Sequence, residues 1–477
     1  MLIDAASFGD AVNKGAKQRT IASFLRFVER KLGVTILYDK RRVPYGRIDL
    51  LEPLDIADKL MGRGIIDLYG PRTGLPDEPP IRIWSCRITD SEHSSTGGAS
   101  STDDASALYA ALGESLERYL WWTQKDYFVR PHKATVEKMR PHFSIIAPEQ
   151  FAGFSKEQRE QDPRLHLALD AQYLWIEGVS LVTGKRIYAP AQQVSAAHRP
   201  WSVIPREPLI RTQITNGLAT WPTKAGARLA GALECLEREA YMIMWFNQLT
   251  LPRARLSSLR KRSTSLDALI ARCERYRLRV HIIPMLTDAP THAVCAMLED
   301  ESGVGPRFVC GLKAHRSLPH AAERAILEAL RARRFTRDSD PSKHYDASKS
   351  VDYIGHRGRV YYWWDPEHAK HLEFMIAGEE KDIEEAAWEG DSIEENLERA
   401  VGWCRERKYE CAAFSFGTSK MNPTPWHVEM VVMPEIQPTH LSESLRHLGG
   451  ERLKSVPRQF GYTPRETPFI ERPHPFC

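Results

Sequence analysis

Hydrophobic positions along the 477-residue chain recur with two periods, one helical and one extended, and the switches between them divide it into segments. Residues 21–32 carry Phe24, Leu25, Phe27 and Val28 at helical spacing and lead into a short strand-like run from Val34 to Tyr38. A Ser/Thr/Gly-rich stretch from Thr89 to Asp104 reads as a loop of the kind that binds anions. Ser101 or Thr102 is available to cap the strongly apolar helix predicted over about 105–122. Alternation at Tyr173 to Glu177, Val179 to Val182 and Arg186 to Tyr188, around Thr183-Gly184, predicts strands. A second apolar helix is predicted over about 225–246, strands over 279–283, 293–298 and 307–310, and a third helix over 320–334, bracketed by Pro319.

The remaining text is polar or irregular. Residues 337–360 lack periodicity and read as a surface loop or insertion, residues 379–408 as an acidic, solvated helical segment, and residues 462–477, with four prolines, as extended chain. The mixture implies an α+β fold of mixed sheets with buried Glu-bearing helices, and a prior of roughly 150 residues per domain suggests two or three folding units.

Composition narrows the partners. Sixty-six basic and 62 acidic residues give a net charge of +4, spread without a concentrated Lys/Arg block, which argues against nucleic acid as the main partner. No charged-then-apolar leader opens the sequence, and the longest apolar run, Tyr241 to Phe246, is far short of the ~20 residues that span a bilayer. A soluble, cytoplasmic protein with no membrane partner is therefore expected. The eight cysteines, Cys477 last among them, form no CxxC pair and read as reduced, buried thiols.

The chemistry lies in a repeated phrase. Glu114, Glu117 and Arg118 sit in ALGESLERYLWW, and Glu234, Glu237 and Arg238 in GALECLEREAYMIMWF; the third helix, AERAILEALRAR, offers Glu328 with Arg324, Arg331 and Arg333. At i, i+3 spacing each Glu pair projects from one helical face. Such a phrase is usually a solvated salt-bridge face, and Glu395, Glu398 and Arg399 in DSIEENLERAVGW show that case: their neighbours are polar and Ser392 with Glu395 makes a capping box. Around the first two copies, Ala110, Ala111, Leu112, Leu116, Tyr119, Leu120, Ala230, Ala232, Leu233, Leu236 and Tyr241 leave almost no polar face besides the carboxylates. Two like charges ~4 Å apart repel by roughly 4 kcal/mol at an effective dielectric of about 20, so cations must sit among buried carboxylates. One Arg per pair neutralises half the charge, and hard oxygen ligands from several helices suit Mg²⁺ that also holds phosphate oxygens. A di-iron carboxylate bundle calls for Glu-x-x-His pairs, and neither helix has the His.

With their flanks, these phrases resemble the YcaO family, and within it the azoline-forming cyclodehydratases. The resemblance runs from Thr96 to Cys477. It rests on GGASSTDDASALYAALGESLERYLWW, WIEGVSLVTGKRIYAPAQQV, TNGLATWPTKAGARLAGALECLEREAYMIMWFNQLTLPR, AAERAILEALRARR, VVMPEIQPTHL and the closing PHPFC, in family order. It implies an N-terminal accessory region over 1–85 and a catalytic domain over 86–477 with a nucleotide fold peculiar to the family. Glu114, Glu117, Glu234, Glu237 and Glu328 would hold Mg²⁺ and the ATP phosphates, with Arg118, Asn216, Arg238 and Arg324 in the nucleotide site. Ala110 stands where the family often has Ser, and Arg324 where it often has Gln. The family's Pro-x-Pro-x-Pro ending corresponds to Pro473, Pro475 and Cys477, which would reach the ATP site and organise cyclisation. The implied activity closes Cys, Ser or Thr of a precursor peptide into azolines with ATP. The implied partners are that peptide, a separate leader-binding protein with a recognition element, a flavin-dependent dehydrogenase, and a second copy of the chain within a larger complex.

Other readings compete. Thioamide or amidine formation would use the same ATP site on another nucleophile, and a non-catalytic ATP- or peptide-binding scaffold would keep the fold without the turnover. The run Ser94 to Ser101 resembles the loop of amidase-signature hydrolases but has no Lys upstream to activate a Ser nucleophile, and Asp365, His368 and His371 read as helix-surface groups rather than metal ligands.

Overall fold

The computed structural model describes residues 51–89, 95–100, 103–123, 132–168, 170–198, 207–337, 345, 355–384, 386, 391–417, 421–466, 470 and 472–476. The helix predicted over 21–32, the strand over 34–38, the candidate caps Ser101 and Thr102, and Cys477 lie outside these residues.

Numbering strands and the longer helices in chain order, the first part comprises α1 (Leu51–Gly62), β1 (Ile66–Pro71), β2 (Arg82–Ile88), β3 (Ser95–Ser100) and α2 (Asp104–Thr123). There follow β4 (His132–Ala134), β5 (Tyr173–Ser180), β6 (Arg186–Pro190), β7 (Leu218–Trp221), α3 (Lys224–Asn247) and β8 (Arg253–Ala254). Then come α4 (Thr264–Arg275), β9 (Leu278–Pro284), β10 (His292–Asp300), β11 (Phe308–His315), α5 (Leu318–Arg337) and α6 (Gly355–Tyr362). The last are β12 (Glu380–Lys381), α7 (Ile393–Glu406), β13 (Ala412–Phe416), β14 (His427–Val432) and α8 (Arg452–Gln459). The α+β class and the three apolar helices stand as expected.

Three expectations are corrected. The stretch read as a loop from Thr89 contains β3, which pairs antiparallel with β2, Gly97 opposite Ser85 and Gly98 opposite Trp84, because its small residues let the strand lie flat against α2. Asp103 caps that helix, accepting from Ser106 N–H at 2.6 Å. The polar run 337–360 ends not in loop but in α6, whose Arg359 is buried against Glu443. Of the described residues in 379–408 only α7 is helical; Glu380 and Lys381 instead pair parallel with Arg253 and Ala254.

β3 ends the sheet β1-β2-β3, β11 ends the sheet β11-β10-β9, and β7 ends the path β4-β5-β13-β14-β7. Each edge strand is followed by one of the three apolar helices, which packs on its own strand and on the next unit's: α2 on β3 and β7, α3 on β7 and β11, α5 on β11 and back on β3. Three strand-then-helix units thus close on one another. Their approach is tight: a Cβ on Gly311 would lie 2.2 Å from the Ala325 carbonyl of α5. Entry to β7 needs Gly217, at φ +92°, where a side chain would meet the Val431 carbonyl at 2.1 Å.

Candidate active site

An edge strand presents backbone N–H groups with no ladder partner, and a buried donor left unpaired is costly. Here carboxylates take them. Glu114 accepts from Gly97 N–H at 3.2 Å, Glu234 from Gly217 N–H at 3.2 Å and Glu328 from Leu312 N–H at 2.6 Å, each some 16 or 17 residues upstream on its own unit. The second Glu of each pair reaches the next unit: Glu117 accepts from Thr220 N–H and Glu237 from Ala314 N–H, both at 2.6 Å. In the third unit Arg331 occupies that second position, and it donates to the Gly97 carbonyl of the first. One oxygen of each carboxylate is thereby fixed to backbone.

The charges form a continuous set. Arg118 binds Glu114 at 2.8 Å. Arg238 binds Glu234 at 3.2 Å and Glu237 at 3.0 Å. Arg331 lies 4.0 Å from both Glu114 and Glu328. Burial pushes Glu114 up, but Arg118 and Arg331 more than offset it and hold it below its ordinary value. For Glu117, burial, then Glu114 and Glu234, outweigh the Thr220 N–H and Arg118 and push it up to about 8. Burial also raises Glu234 and Glu328 despite Arg238, with Glu237 adding to both. The set carries more negative charge than its arginines balance. Glu114, Glu234 and Glu328 remain about a quarter exposed, so the carboxylates face an opening rather than a sealed core.

Asn216 stands beside this opening with its Oδ1 held by Thr439 at 3.2 Å and its buried Nδ2 without a partner. Arg324 lies one turn before Glu328 on α5; burial, then Arg331, lower its pKa below the usual arginine value. An orphaned donor, paired cations and surplus carboxylate charge are what a polyphosphate with a divalent metal would satisfy. Among the described residues no three His, Cys, Asp or Glu side chains are grouped so as to hold a metal ion by themselves.

The tail also arrives here. Pro473 and Pro475 are buried, and Phe476 places its ring 4.2 Å from the Arg238 guanidinium. The contact of Phe476, the backbone donors and the return of Arg331 to Gly97 have no local sequence signal. Glu395 and Glu398 lie elsewhere: Glu395 is in a capping box with Ser392 and Glu398 is 69% exposed. Asp365 caps a short helix and His368 stacks on Tyr362 at 3.9 Å.

A family model described as YcaO cyclodehydratase, ATP- and Mg²⁺-binding, matches residues 98–437. The chain belongs to the YcaO family. ATP and Mg²⁺ are accordingly its cofactors. Curated protein sequences give no significant match. Among solved structures, a heterocyclase in complex with substrate and cofactor superposes with a TM-score of 0.71 at 18% identity, over 89% of this chain and 57% of that one. A YcaO protein from Methanopyrus kandleri bound with AMPPCP and Mg²⁺ gives 0.56 at 18% identity, over 81% and 91%. The E. coli microcin synthetase McbBCD complex gives 0.55 at 13% identity, over 77% and 88%. This chain therefore spans little more than half the length of the substrate-bound heterocyclase. At these identities the likeness shows the fold. No helix of the described residues is long and apolar enough to cross a membrane.

Proposed function

We propose that this YcaO protein is an ATP-dependent cyclodehydratase that converts Cys, Ser or Thr of a precursor peptide to thiazolines or oxazolines. The observation that carries the site assignment is the closed set of five carboxylates, each with one oxygen fixed by a backbone N–H of an edge strand or of its entry, which together carry more charge than their arginines balance. Glu114, Glu117, Glu234, Glu237 and Glu328 would hold Mg²⁺ and, through it, the ATP phosphates, while Asn216, Arg118, Arg238 and Arg324 contact the nucleotide. When bound, Mg²⁺ neutralises charge on the transferring phosphoryl group.

The substrate's thiol or hydroxyl adds to the preceding amide carbonyl, and the resulting oxyanion takes the γ-phosphoryl group of ATP. Loss of phosphate and of the amide proton then gives the C=N bond of the azoline, with ADP as the other product. The chain's own part is electrostatic: the carboxylates are preset by backbone donors, and Arg238 is held by Glu234 and Glu237, so little reorganisation accompanies the transfer. Pro473, Pro475 and Cys477 would organise the cyclisation side of the site. A separate recognition-element protein would deliver the peptide, a flavin-dependent dehydrogenase would follow, and the chain would act as a homodimer in that assembly, in the cytoplasm.

The test is ¹⁸O in the scissile amide. Label in inorganic phosphate, with ADP in equal amount and a loss of about 20 Da per azoline from the labelled peptide (about 18 Da from the unlabelled one), is the expected result. AMP and pyrophosphate, or unlabelled phosphate, would overturn the mechanism; nucleotide binding without peptide-stimulated phosphate release would leave the scaffold reading.

A further inference from the structure

The residues just before and around the tail include a buried polar cluster that the carboxylate site does not use. Arg452 holds Glu239 with two 2.8 Å bonds, and Gln437 N–H donates to the same carboxylate at 3.1 Å, fastening the chain segment after β14 onto the far side of α3 from the Glu pair. On that segment His440 lies flat on Phe246 of α3, ring centroids 5.5 Å apart, and its Nε2–H donates to Glu443 at 2.9 Å. Arg359 of α6 closes on Glu443 at 2.5 Å. His440, Glu443 and Arg359 are all at least 95% buried, so their geometry is fixed by one another rather than by water.

The tail docks on this frame. His474, itself 2% exposed, donates from Nε2 to the His440 carbonyl at 2.9 Å, with its ring edge-on to His440 at 5.0 Å and to Tyr241 at 5.9 Å. Trp363 Nε1–H donates to the Pro473 carbonyl at 3.0 Å. Two residues further, Phe476 meets Tyr241 and Arg238. The prolines limit how the tail can bend, so fixing His474 fixes where Phe476 falls.

We propose that Arg359, Glu443 and His440 form a buried clamp that reads His474 and thereby sets the register of the tail, seating Phe476 on Arg238 between the two carboxylates it bridges. His474 is a positioning residue, acting on the site through Phe476 and Arg238. The consequence for turnover rests on the cyclodehydratase reading; the clamp itself does not. Sequence spreads its parts over 115 residues, from Arg359 to His474, and the interaction uses the one tail residue between the two prolines.

The test compares wild type with His474→Ala and His474→Gln, the latter keeping an N–H donor at similar reach. Release of Phe476 by a carboxypeptidase, followed by intact mass, reads whether the tail is seated, and titration with AMPPCP and Mg²⁺ reads the nucleotide site. His474→Ala should speed release by about tenfold while changing nucleotide affinity by less than about threefold, and His474→Gln should behave as wild type within about threefold. In peptide-stimulated phosphate release, His474→Ala should lower kcat by about tenfold with little change in KM for ATP. Unchanged release in His474→Ala, or equal release in the Ala and Gln variants, would overturn the clamp. If wild type releases no phosphate with peptide present, the cyclodehydratase reading fails, and the carboxypeptidase result still decides the clamp.

Discussion

Helices α3 and α7 carry the same phrase, Glu-x-Leu-Glu-Arg, and put it to opposite uses. On α3, Glu237 is 3% exposed, takes an N–H from β11 and shares Arg238 with Glu234. On α7, Glu398 is 69% exposed and meets Arg405 at 3.1 Å, while Arg399 turns to Asp391. The spacing is identical, so the local helix geometry is identical. What differs is the neighbour: α3 lies along the unpaired edges of two sheets, whose backbone donors orient the carboxylates, whereas the outer face of α7 meets water. The carboxylates proposed for the site are those that an edge strand or its entry orients through one oxygen.

Removing a carboxylate from each helix should break the comparison most visibly. Glu237→Gln or Glu117→Gln is expected to lower ATP turnover by about a thousandfold or more with the fold retained by circular dichroism, because a Mg²⁺ or phosphate contact is lost. Glu398→Gln should stay within about twofold of wild type. Equal phosphate release from all three would sink the assignment of the α2 and α3 pairs.

The arginines give the next effect. Arg238→Ala leaves buried Glu237 and partly buried Glu234 without their shared cation and should cost about 3 kcal/mol in urea unfolding, whereas Arg399→Ala, on a half-exposed pair, should cost no more than about 0.5 kcal/mol. Deleting Pro473 to Cys477, which removes Phe476 from Arg238, should reduce cyclodehydration by about tenfold, equivalent to about 1.4 kcal/mol, with a smaller loss of nucleotide binding. A truncated enzyme with full activity would show that the tail has no part in the site.

The smallest effect is a pH dependence. Glu117 releases its proton near 4.5 when unfolded and at about 8 in the fold. Between those values the fold holds the extra proton, so the stability of the nucleotide-free protein falls as pH rises from about 4.5 to about 8, then levels off. Glu117→Gln removes that slope: its Tm should exceed that of wild type by a few degrees at pH 8 and by less at pH 5. Glu398→Gln should shift neither. A Glu117→Gln difference independent of pH would mean that the carboxyl is already ionised at pH 5.

Much of this molecule could be read before its structure. The three apolar helices, the strands around them and the pairing of Glu114 with Glu117 and Glu234 with Glu237 follow from periods of a few residues, which depend only on local backbone geometry. The capping box at Ser392 and Glu395 is local in the same sense, and it separated α7 from the others on sequence grounds. Tertiary structure decided the rest. Strand β3 was hidden because Ser, Thr and Gly favour turns when considered alone, and only pairing with β2 makes them a strand. Arg331 closing on Gly97, Thr220 and Ala314 holding the second Glu of each pair, and His474 meeting His440 join residues 34 to 234 positions apart. No periodicity records such contacts, because they are set by which sheet edge each helix packs against, and that is fixed only when the whole chain has closed.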